Sequence, residues 1–217
     1  MGYFRELPDV EYQSFLTDRR SSQDYLTVKN FFRRVKLRDD LQSIFTVFDK
    51  YTIPDGARPD TVAEDLYGDS TLDWVVLIVA GILNVQTEWP LSDRDLYRFT
   101  ENKYGIAEMN SEKFYETYQV VDSFNRLILP AGLVVDYNFT IPNPDNKTST
   151  ITPTRSVSNY EYEVRENDKK RQIYILKNQY LDQFLSDSRA LMLYTDSSEY
   201  INELLIRTEN TRVTTPN

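Results

Sequence analysis

The 217-residue sequence contains no cysteine and no histidine. Without cysteine it can form no disulfide and no thiolate metal site, and without histidine it lacks the commonest general base and metal ligand. Its six glycines are scattered singly, so it has no glycine-rich loop of the kind that holds phosphates. No Gly-x-Ser-x-Gly motif marks a nucleophilic serine. We therefore predict a protein that is not an enzyme, with no catalytic residue, no cofactor and no bound metal.

An excess of positive charge is also missing. The chain has 34 acidic and 25 basic residues and a net charge of -9, which argues against nucleic acid as a partner, because phosphate binding needs a positive field. The N-terminal stretch MGYFRELPDVEYQ has no apolar segment typical of a signal peptide. We therefore expect neither secretion nor a nucleic-acid partner.

The stretch from Pro59 to Leu91 has the pattern of two short helices joined by a tight turn. Asp60 is suited to cap the first helix, because its carboxylate can accept hydrogen bonds from free amides of the first turn. Gly68 stands where a left-handed residue commonly ends a helix. Apolar residues at helical spacing give this helix one apolar face: Val62, Ala63, Leu66 and Tyr67. Three of them are our predicted core residues here: Val62, Leu66 and Tyr67.

The second helix is apolar on almost every side, because Asp73 is the only polar residue from Leu72 to Ala80. Ser70 can cap it, with Asp73 in the capping-box position. Such a helix is buried on most sides, and it is far shorter than the roughly 20 residues that cross a bilayer. We expect no membrane partner, and we predict three core residues in this helix: Trp74, Leu77 and Ile78.

A β-rich run at residues 44–48 and a turn at Pro54–Gly56 precede these helices. This order of elements resembles the start of a LysM module, and the residues that fit its spacing are Asp60-Thr61, Ala63, Tyr67-Gly68 and Asn84. The resemblance implies a β-α-α-β fold, which in that family usually binds N-acetylglucosamine polymers.

The sequence departs from the LysM pattern in two places. Residues 57–59 separate Gly56 from Asp60, where LysM modules place the glycine directly before the aspartate. The second helix is unusually apolar and carries Trp74, which suggests packing against protein rather than against sugar.

A closer resemblance covers both ends of the chain. Residues 58–70 (RPDTVAEDLYGDS), 74–77 (WVVL), 88–91 (EWPL) and 165–176 (RENDKKRQIYIL) resemble the baseplate wedge protein family of T-even-like contractile-tailed phages, the small component numbered fifty-three. The resemblance implies a structural virion protein of the inner baseplate with a LysM-like fold used for protein contacts. The central part, about residues 114–158, carries no such resemblance.

The rest of the chain mixes helices and strands. Ser92 caps a predicted helix over 93–104, followed by β-rich runs at 114–121, 126–129 and 133–141, the last two flanking a turn at Pro130–Gly132. Residues 141–156 are polar and predict a long loop. The chain is completed by a helix from 159 to about 168, a strand at 171–176, a helix over 180–192 and a short helical turn at 200–206.

No strand follows Asn84 to close a LysM-like sheet, so we predict that residues 85–170 are inserted and that residues 171–176 return to pair with the first strand. The predicted fold class is α+β, a LysM-like β-α-α-β core with a large helical and β-hairpin insertion and extended termini. The predicted regions are an extended arm (1–40), the first strand and two helices of the core (41–91), an inserted helix, β-meander and polar loop (92–158), and a C-terminal part with the returning strand and an amphipathic helix (159–217).

The sequence from Lys29 to Arg38 (KNFFRRVKLR) contains five positive charges. It predicts either a docking patch for an acidic partner or a solvated helix face beside buried phenylalanines. Trp89 can cover the edge of the core or anchor a partner. Sixteen tyrosines, a residue common at interfaces, also favour protein contacts. The interface candidates are Phe31, Phe32, Arg33, Arg34, Trp89 and Tyr97.

Two functions stay open on the sequence. The first is a structural wedge component of a viral tail baseplate that bridges neighbouring wedge subunits or the central hub, in six or a multiple of six copies around the tail axis. It would be made in the host cytoplasm and end in the virion. The second is a LysM-type module that binds peptidoglycan or N-acetylglucosamine.

Overall fold

The structure is a computed structural model, and it describes residues 2–13, 25–37, 46–146 and 148–208. The helices and strands of the first half are α1 (Tyr3–Glu6), β1 (Asp9–Gln13), β2 (Tyr25–Lys29), β3 (Phe48–Thr52), α2 (Pro59–Tyr67), α3 (Asp73–Ala80), α4 (Val85–Glu88), α5 (Asp93–Tyr104) and α6 (Ile106–Met109). Those of the second half are β4 (Glu112–Thr117), β5 (Val120–Val121), β6 (Leu127–Leu129), β7 (Val134–Val135), β8 (Ile141–Pro142), β9 (Thr150–Ile151), β10 (Thr154–Ser158), α7 (Asn159–Arg171), β11 (Gln172–Leu176), α8 (Leu181–Met192), β12 (Tyr200–Asn202) and β13 (Leu205–Arg207). The fold class is α+β, as predicted.

The chain forms two compact units. The first unit contains the described residues up to Thr52, residues 57–88, and those from Ile173 onward. The second unit contains residues 53–56 and 89–172. The second unit is therefore inserted in the sequence of the first. Among the described residues, no helix is both long and apolar enough to span a membrane.

In the first unit the two ends of the chain share a four-stranded sheet, in the order β12-β13-β1-β2. Strand β1 runs parallel to β13, with Val10 opposite Ile206, and antiparallel to β2, with Val10 opposite Val28. The predicted extended arm over residues 1–40 is therefore wrong for its described part, and the helical turn expected at 200–206 is instead strand. Long-range pairing between the two ends overrides the local pattern.

The returning strand is confirmed, because β11 pairs with β3. Backbone hydrogen bonds at both ends, from Ile53 N to Arg171 O (2.8 Å) and from Lys177 N to Val47 O (3.1 Å), show that the strands are antiparallel. Strand β3 starts at Phe48, later than the predicted run at 44–48, of which residues 44 and 45 lie outside the described residues.

Helices α2 and α3 follow β3 in the first unit. Helix α2 begins two residues earlier than predicted, with Arg58 rather than Asp60 at its N-cap, and ends at Gly68, whose φ of 71° is the predicted left-handed stop. Asp69, rather than Ser70, caps the next turn by accepting from Thr71 N. Each helix buries an apolar face formed by residues at helical spacing. Four side chains of these helices are completely buried: Val62, Ala63, Val75 and Val76.

The second unit starts with helix α5, which has the predicted bounds. Ser92 Oγ accepts from Asp95 N (3.2 Å), and Gly105 follows the last turn. Helix α7 is capped in the same way, by Ser158 Oγ, which accepts from Glu161 N.

Strands β10, β4 and β7 form an antiparallel sheet in that order in the second unit. The two runs around Pro130–Gly132 do not pair with each other, contrary to the prediction, since β6 pairs with β5 and β7 with β4. The polar stretch 141–156 is likewise not one long loop, because β8 and β9 form a hairpin and β10 joins β4.

A buried carboxylate joins this sheet to α7. Glu116 on β4 is bound by Arg165 (Nη1–Oε2 2.7 Å) and by Arg155 (Nη2–Oε1 2.6 Å). Hydrogen bonds from Arg165, helped by those from Arg155, lower the pKa of Glu116 to about 2 although burial opposes the shift. The buried charge is therefore compensated within its own unit.

Candidate protein-interaction surfaces

No group of three or more acidic side chains in the described part of the chain is arranged to hold a metal ion. The features that stand out are large apolar side chains on the surface, which in soluble proteins mark interaction sites when they cluster. The described residues of each unit include a group of such side chains.

The surface of the first unit consists of Phe4, Phe31 and Phe32, which we call the aromatic surface. Phe32 is 100% exposed and the other two are mostly exposed. The rings of Phe4 and Phe31 meet edge to face with centroids 5.7 Å apart. Asn30 Oδ1 accepts from Phe32 N (3.1 Å), a local side-chain bond that fixes the turn holding both phenylalanines.

Arg33 fastens this turn to the C-terminal part of the same unit. Its Nη2 donates to Leu191 O and Leu193 O, each at 3.1 Å, and its guanidinium lies 4.9 Å from the centre of the Tyr194 ring. The hydroxyl of Tyr194 accepts from Asn30 Nδ2 (2.9 Å). Arg33 is thus occupied in holding the turn.

The prediction of a helix with buried phenylalanines is wrong for the described residues 30–37, which form a turn and an extended segment. Val35 and Leu37 are the buried side chains of this segment. Arg34 is exposed, and no carboxylate within the described parts of the chain pairs with it.

A cavity of about 470 Å³ lies beside α3 in the first unit. Its lining residues are Tyr3, Arg34, Val35, Lys36, Leu37, Trp74, Leu77, Ile78, Gly81, Ile82 and Leu83. We call this cavity the α3 cavity. Trp74, which lines it, packs in this unit between Tyr3 and Phe184, with ring centres 5.7 and 6.0 Å away.

The six predicted core residues all belong to the first unit. Val62 and Trp74 are buried, whereas Leu66, Tyr67, Leu77 and Ile78 are half-buried. Tyr67 donates its hydroxyl to Leu176 O (3.0 Å), and burial raises its pKa to about 12. Leu77 and Ile78 line the α3 cavity, so part of the predicted core faces an open space.

The surface of the second unit is formed by the segment 127–135 (LILPAGLVV) and its neighbours. This stretch of nine residues carries no charge. Its exposed side chains and two close in sequence form what we call the apolar hairpin surface, named after the β5–β6 hairpin that carries the first three of them: Phe124, Leu127, Ile128, Leu133, Val134 and Tyr137. Sequence reasoning missed this surface, although the uncharged run was the signal that could have indicated it.

The buried residue Thr117 holds the apolar hairpin surface in place through hydrogen bonds. It is fully buried, its N–H donates to Leu133 O (2.9 Å), and its hydroxyl donates to Pro130 O (2.7 Å). Leu133 N donates to the same hydroxyl (3.1 Å), and Gly132 N donates to Thr117 O (2.9 Å). The φ of 86° at Gly132 favours glycine at this tight return.

Asp122 organises the adjacent turn between β5 and β6. Its Oδ1 accepts from Phe124 N (3.0 Å) and Arg126 N (2.8 Å), and Arg126 Nε donates to its Oδ2 (2.7 Å). Led by the bond from Arg126 N, these interactions lower the pKa of Asp122. The turn therefore presents Phe124, mostly exposed, from a rigid frame.

Two interface candidates belong to the second unit. Trp89 is only 7% exposed, so it fills the interior and we no longer include it among the interface candidates. Tyr97 is partly exposed on α5 and contacts the ring of Tyr160 edge to face at 6.1 Å. Of the predicted candidates, Phe31, Phe32 and Arg34 are the ones brought together on one exposed segment.

Comparison with known protein families gives a match. The sequence model of a family described as base plate wedge protein 53 matches residues 4–129, more than half of the chain. No curated protein matches the chain. The match includes the aromatic surface and the first part of the apolar hairpin surface.

Proposed function

The chain belongs to the base plate wedge protein 53 family, and from this membership we propose that it is a structural wedge subunit that bridges neighbouring subunits or the central hub of a contractile-tail baseplate. Its place in the virion is the tail baseplate, and its role there is structural. It acts through protein–protein contacts, and no catalytic step is part of the role.

The observation that carries the bridging role is the presence of one exposed apolar surface on each unit. A bridging subunit needs at least two separate contacts, and each must gain enough by burying apolar area to offset the ordering of side chains. Both surfaces are held by internal hydrogen bonds, so little conformational entropy is lost when a partner covers them. One surface for one neighbour and one for another is the simplest use of this arrangement.

We also propose that β3, α2, α3 and β11 form a LysM-like β-α-α-β core. The order of these elements and the pairing of β3 with β11 support this assignment. In this chain the core serves protein contacts, since Trp74, the tryptophan of its second helix, is buried between other aromatic rings. It is therefore a rigid adaptor rather than a glycan-binding site.

The partners under this proposal are other wedge and hub proteins, met by six copies of the chain or a multiple of six around the tail axis. The chain is made and assembled in the host cytoplasm. A net charge of -9 makes nucleic acid an unsuitable partner, and neither the role nor the sequence calls for a membrane.

The experiment that tests the role is deletion of the coding sequence from the phage, followed by electron microscopy of the particles and complementation with the full chain. We expect no complete baseplates without the chain and normal ones with it. Complete and stable baseplates in its absence would overturn the proposal.

A further inference from the structure

The charge of the segment beside the α3 cavity is opposite to that of the whole chain. Residues 25–37 contain four cationic side chains and no acidic one, whereas the chain carries a net charge of -9. Lys29 is paired with Asp9 (2.9 Å), and Arg33 is bound to the carbonyls of Leu191 and Leu193. Arg34 has no such partner within the described residues, so its positive charge is available at the cavity.

The cavity itself is suited to apolar groups. At about 470 Å³ it lies within the usual range of ligand-binding clefts, and most of its lining side chains are apolar. It is large enough for one or two side chains of a partner but has few polar groups to hold a polar ligand. The charge at Arg34 acts on this lining, since it opposes the rise in the pKa of Tyr3 that burial causes.

An aromatic path connects the cavity with the surface. Tyr3 lines the cavity and meets Phe4 edge to face at 5.8 Å, and Phe4 in turn contacts Phe31. The aromatic surface therefore adjoins a residue that lines the cavity, so one partner can contact both.

We propose that the α3 cavity, with Arg34 at its edge, binds an acidic segment of a neighbouring baseplate protein, which places an apolar side chain in the cavity and a carboxylate against the Arg34 guanidinium. The inference rests on the proposed function, because it assumes that the chain works by binding other baseplate subunits. Apolar burial supplies the affinity, and the arginine–carboxylate pair selects an acidic segment over a neutral or basic one.

The first test uses the full chain in assembled baseplates. A photo-crosslinking amino acid replaces Leu83, which lines the cavity and is 70% exposed, and the crosslinked peptide is identified by mass spectrometry. The control position is Ile106 on α6, which is 68% exposed in the other unit. We expect position 83 to crosslink to a segment of another baseplate protein with a carboxylate within about one helical turn, roughly four residues, of the crosslinked site.

The second test compares Arg34→Glu with Arg98→Glu, which makes the same charge change at an exposed arginine of α5. We expect incorporation of the Arg34→Glu chain into baseplates to fall at least about tenfold, as the loss of a charge-assisted bond implies, while the Arg98→Glu chain is incorporated normally. A lysine introduced at the crosslinked carboxylate should restore incorporation of the Arg34→Glu chain. Thermal unfolding of the free chains checks that each variant folds, and Arg34→Gln replaces Arg34→Glu if it does not.

Three results would overturn the inference: no crosslink at position 83 above the Ile106 control, a crosslinked segment without a nearby carboxylate, or normal incorporation of the Arg34 variants. Each of these would leave the wedge role intact as long as baseplates still require the chain. Baseplates that assemble without the chain would instead contradict the proposed function.

Discussion

The aromatic surface of the first unit and the apolar hairpin surface of the second expose similar side chains but differ in charge. Arg34 and three further cations belong to the segment that carries Phe31 and Phe32. The stretch 127–135 of the hairpin surface has no charged residue. A partner of the first surface is therefore selected by charge as well as by shape, while a partner of the second is selected by shape and apolar area.

The two surfaces also differ in what holds them. The turn of the aromatic surface is held by Arg33, whose guanidinium donates solvent-exposed hydrogen bonds to carbonyls near the other end of the chain. The hairpin surface is fastened from inside by the fully buried hydroxyl of Thr117. Loosening the first requires only the breaking of surface bonds, whereas loosening the second leaves buried polar groups without partners, which is more costly.

The largest effect is expected for Val134→Asp on the hairpin surface. A carboxylate at this position would have to be buried without a partner in the contact, so binding to a wedge assembly should fall about 100-fold. Val134 is 70% exposed, so the free chain should fold normally. Binding is measured by co-sedimentation with assemblies that lack the chain, and Ile106→Asp is the control with matched exposure. Equal loss in the two variants would contradict a role for this surface.

A smaller loss of binding, about tenfold or more, is expected for Phe32→Ala on the aromatic surface. The side chain is 100% exposed, so the free energy of unfolding of the free chain should change by no more than about 0.5 kcal/mol. The same co-sedimentation measures binding, and Leu204→Ala, an exposed apolar position in the same unit, is the control. Unchanged binding by the Phe32→Ala chain would remove this residue from the interface.

Thr117→Val tests how the hairpin surface is held. It removes a buried hydroxyl that bonds to Pro130 O and Leu133 N, and should destabilise the chain by about 1–3 kcal/mol. Thr100→Val is the control, because that hydroxyl is equally buried but bonds only to Leu96 O in its own helix. Denaturant unfolding measures stability, and amide exchange should quicken at residues 131–134 in Thr117→Val alone. A larger cost for Thr100→Val would argue against the proposed support.

The smallest effect near neutral pH concerns Glu116. Its pKa is about 2 in the folded chain, below the ordinary 4.5, so its ion pairs stabilise the fold above about pH 4.5 and that stabilisation is lost as the pH falls through about 2. The protection of the β4 and β10 amides, which is the factor by which their exchange is slower than that of a free amide at the same pH, should therefore stay constant down to about pH 4 and fall below it. Protection that falls already between pH 7 and pH 5 in these strands would contradict the assignment.

The parts of the fold that depend on neighbouring residues could be predicted from the sequence. Ser92 and Gly105 mark both ends of α5, and Gly68 ends α2, because caps act within one turn of the chain. The returning strand β11 was also predictable, because a lone strand in β3 needed a partner and few segments could supply it.

Other parts depend on contacts between distant residues. Strands β12 and β13 looked like a helical turn, and only the pairing of β13 with β1, near the other end of the chain, and of β12 with β13 makes them strands. Phe31, Phe32 and Val35 have the spacing of a helix face beside charged residues, but the bonds of Arg33 to Leu191 and Leu193 hold an extended segment instead. The hairpin surface was missed because Thr117, a polar residue, sets the pairing of the strands around it.

The central claim is that the chain makes one charge-selected contact and one apolar contact, and the salt dependence of binding tests it most directly. Binding to wedge assemblies is measured with Val134→Asp, which leaves the aromatic surface intact, and with Arg34→Glu, which leaves the hairpin surface intact. Salt is raised from about 0.1 M to about 1 M, which shortens the screening length from about 10 Å to about 3 Å. We predict that the residual binding of Val134→Asp falls steeply with salt while that of Arg34→Glu is unchanged or strengthened. The same salt dependence in both variants would contradict the account.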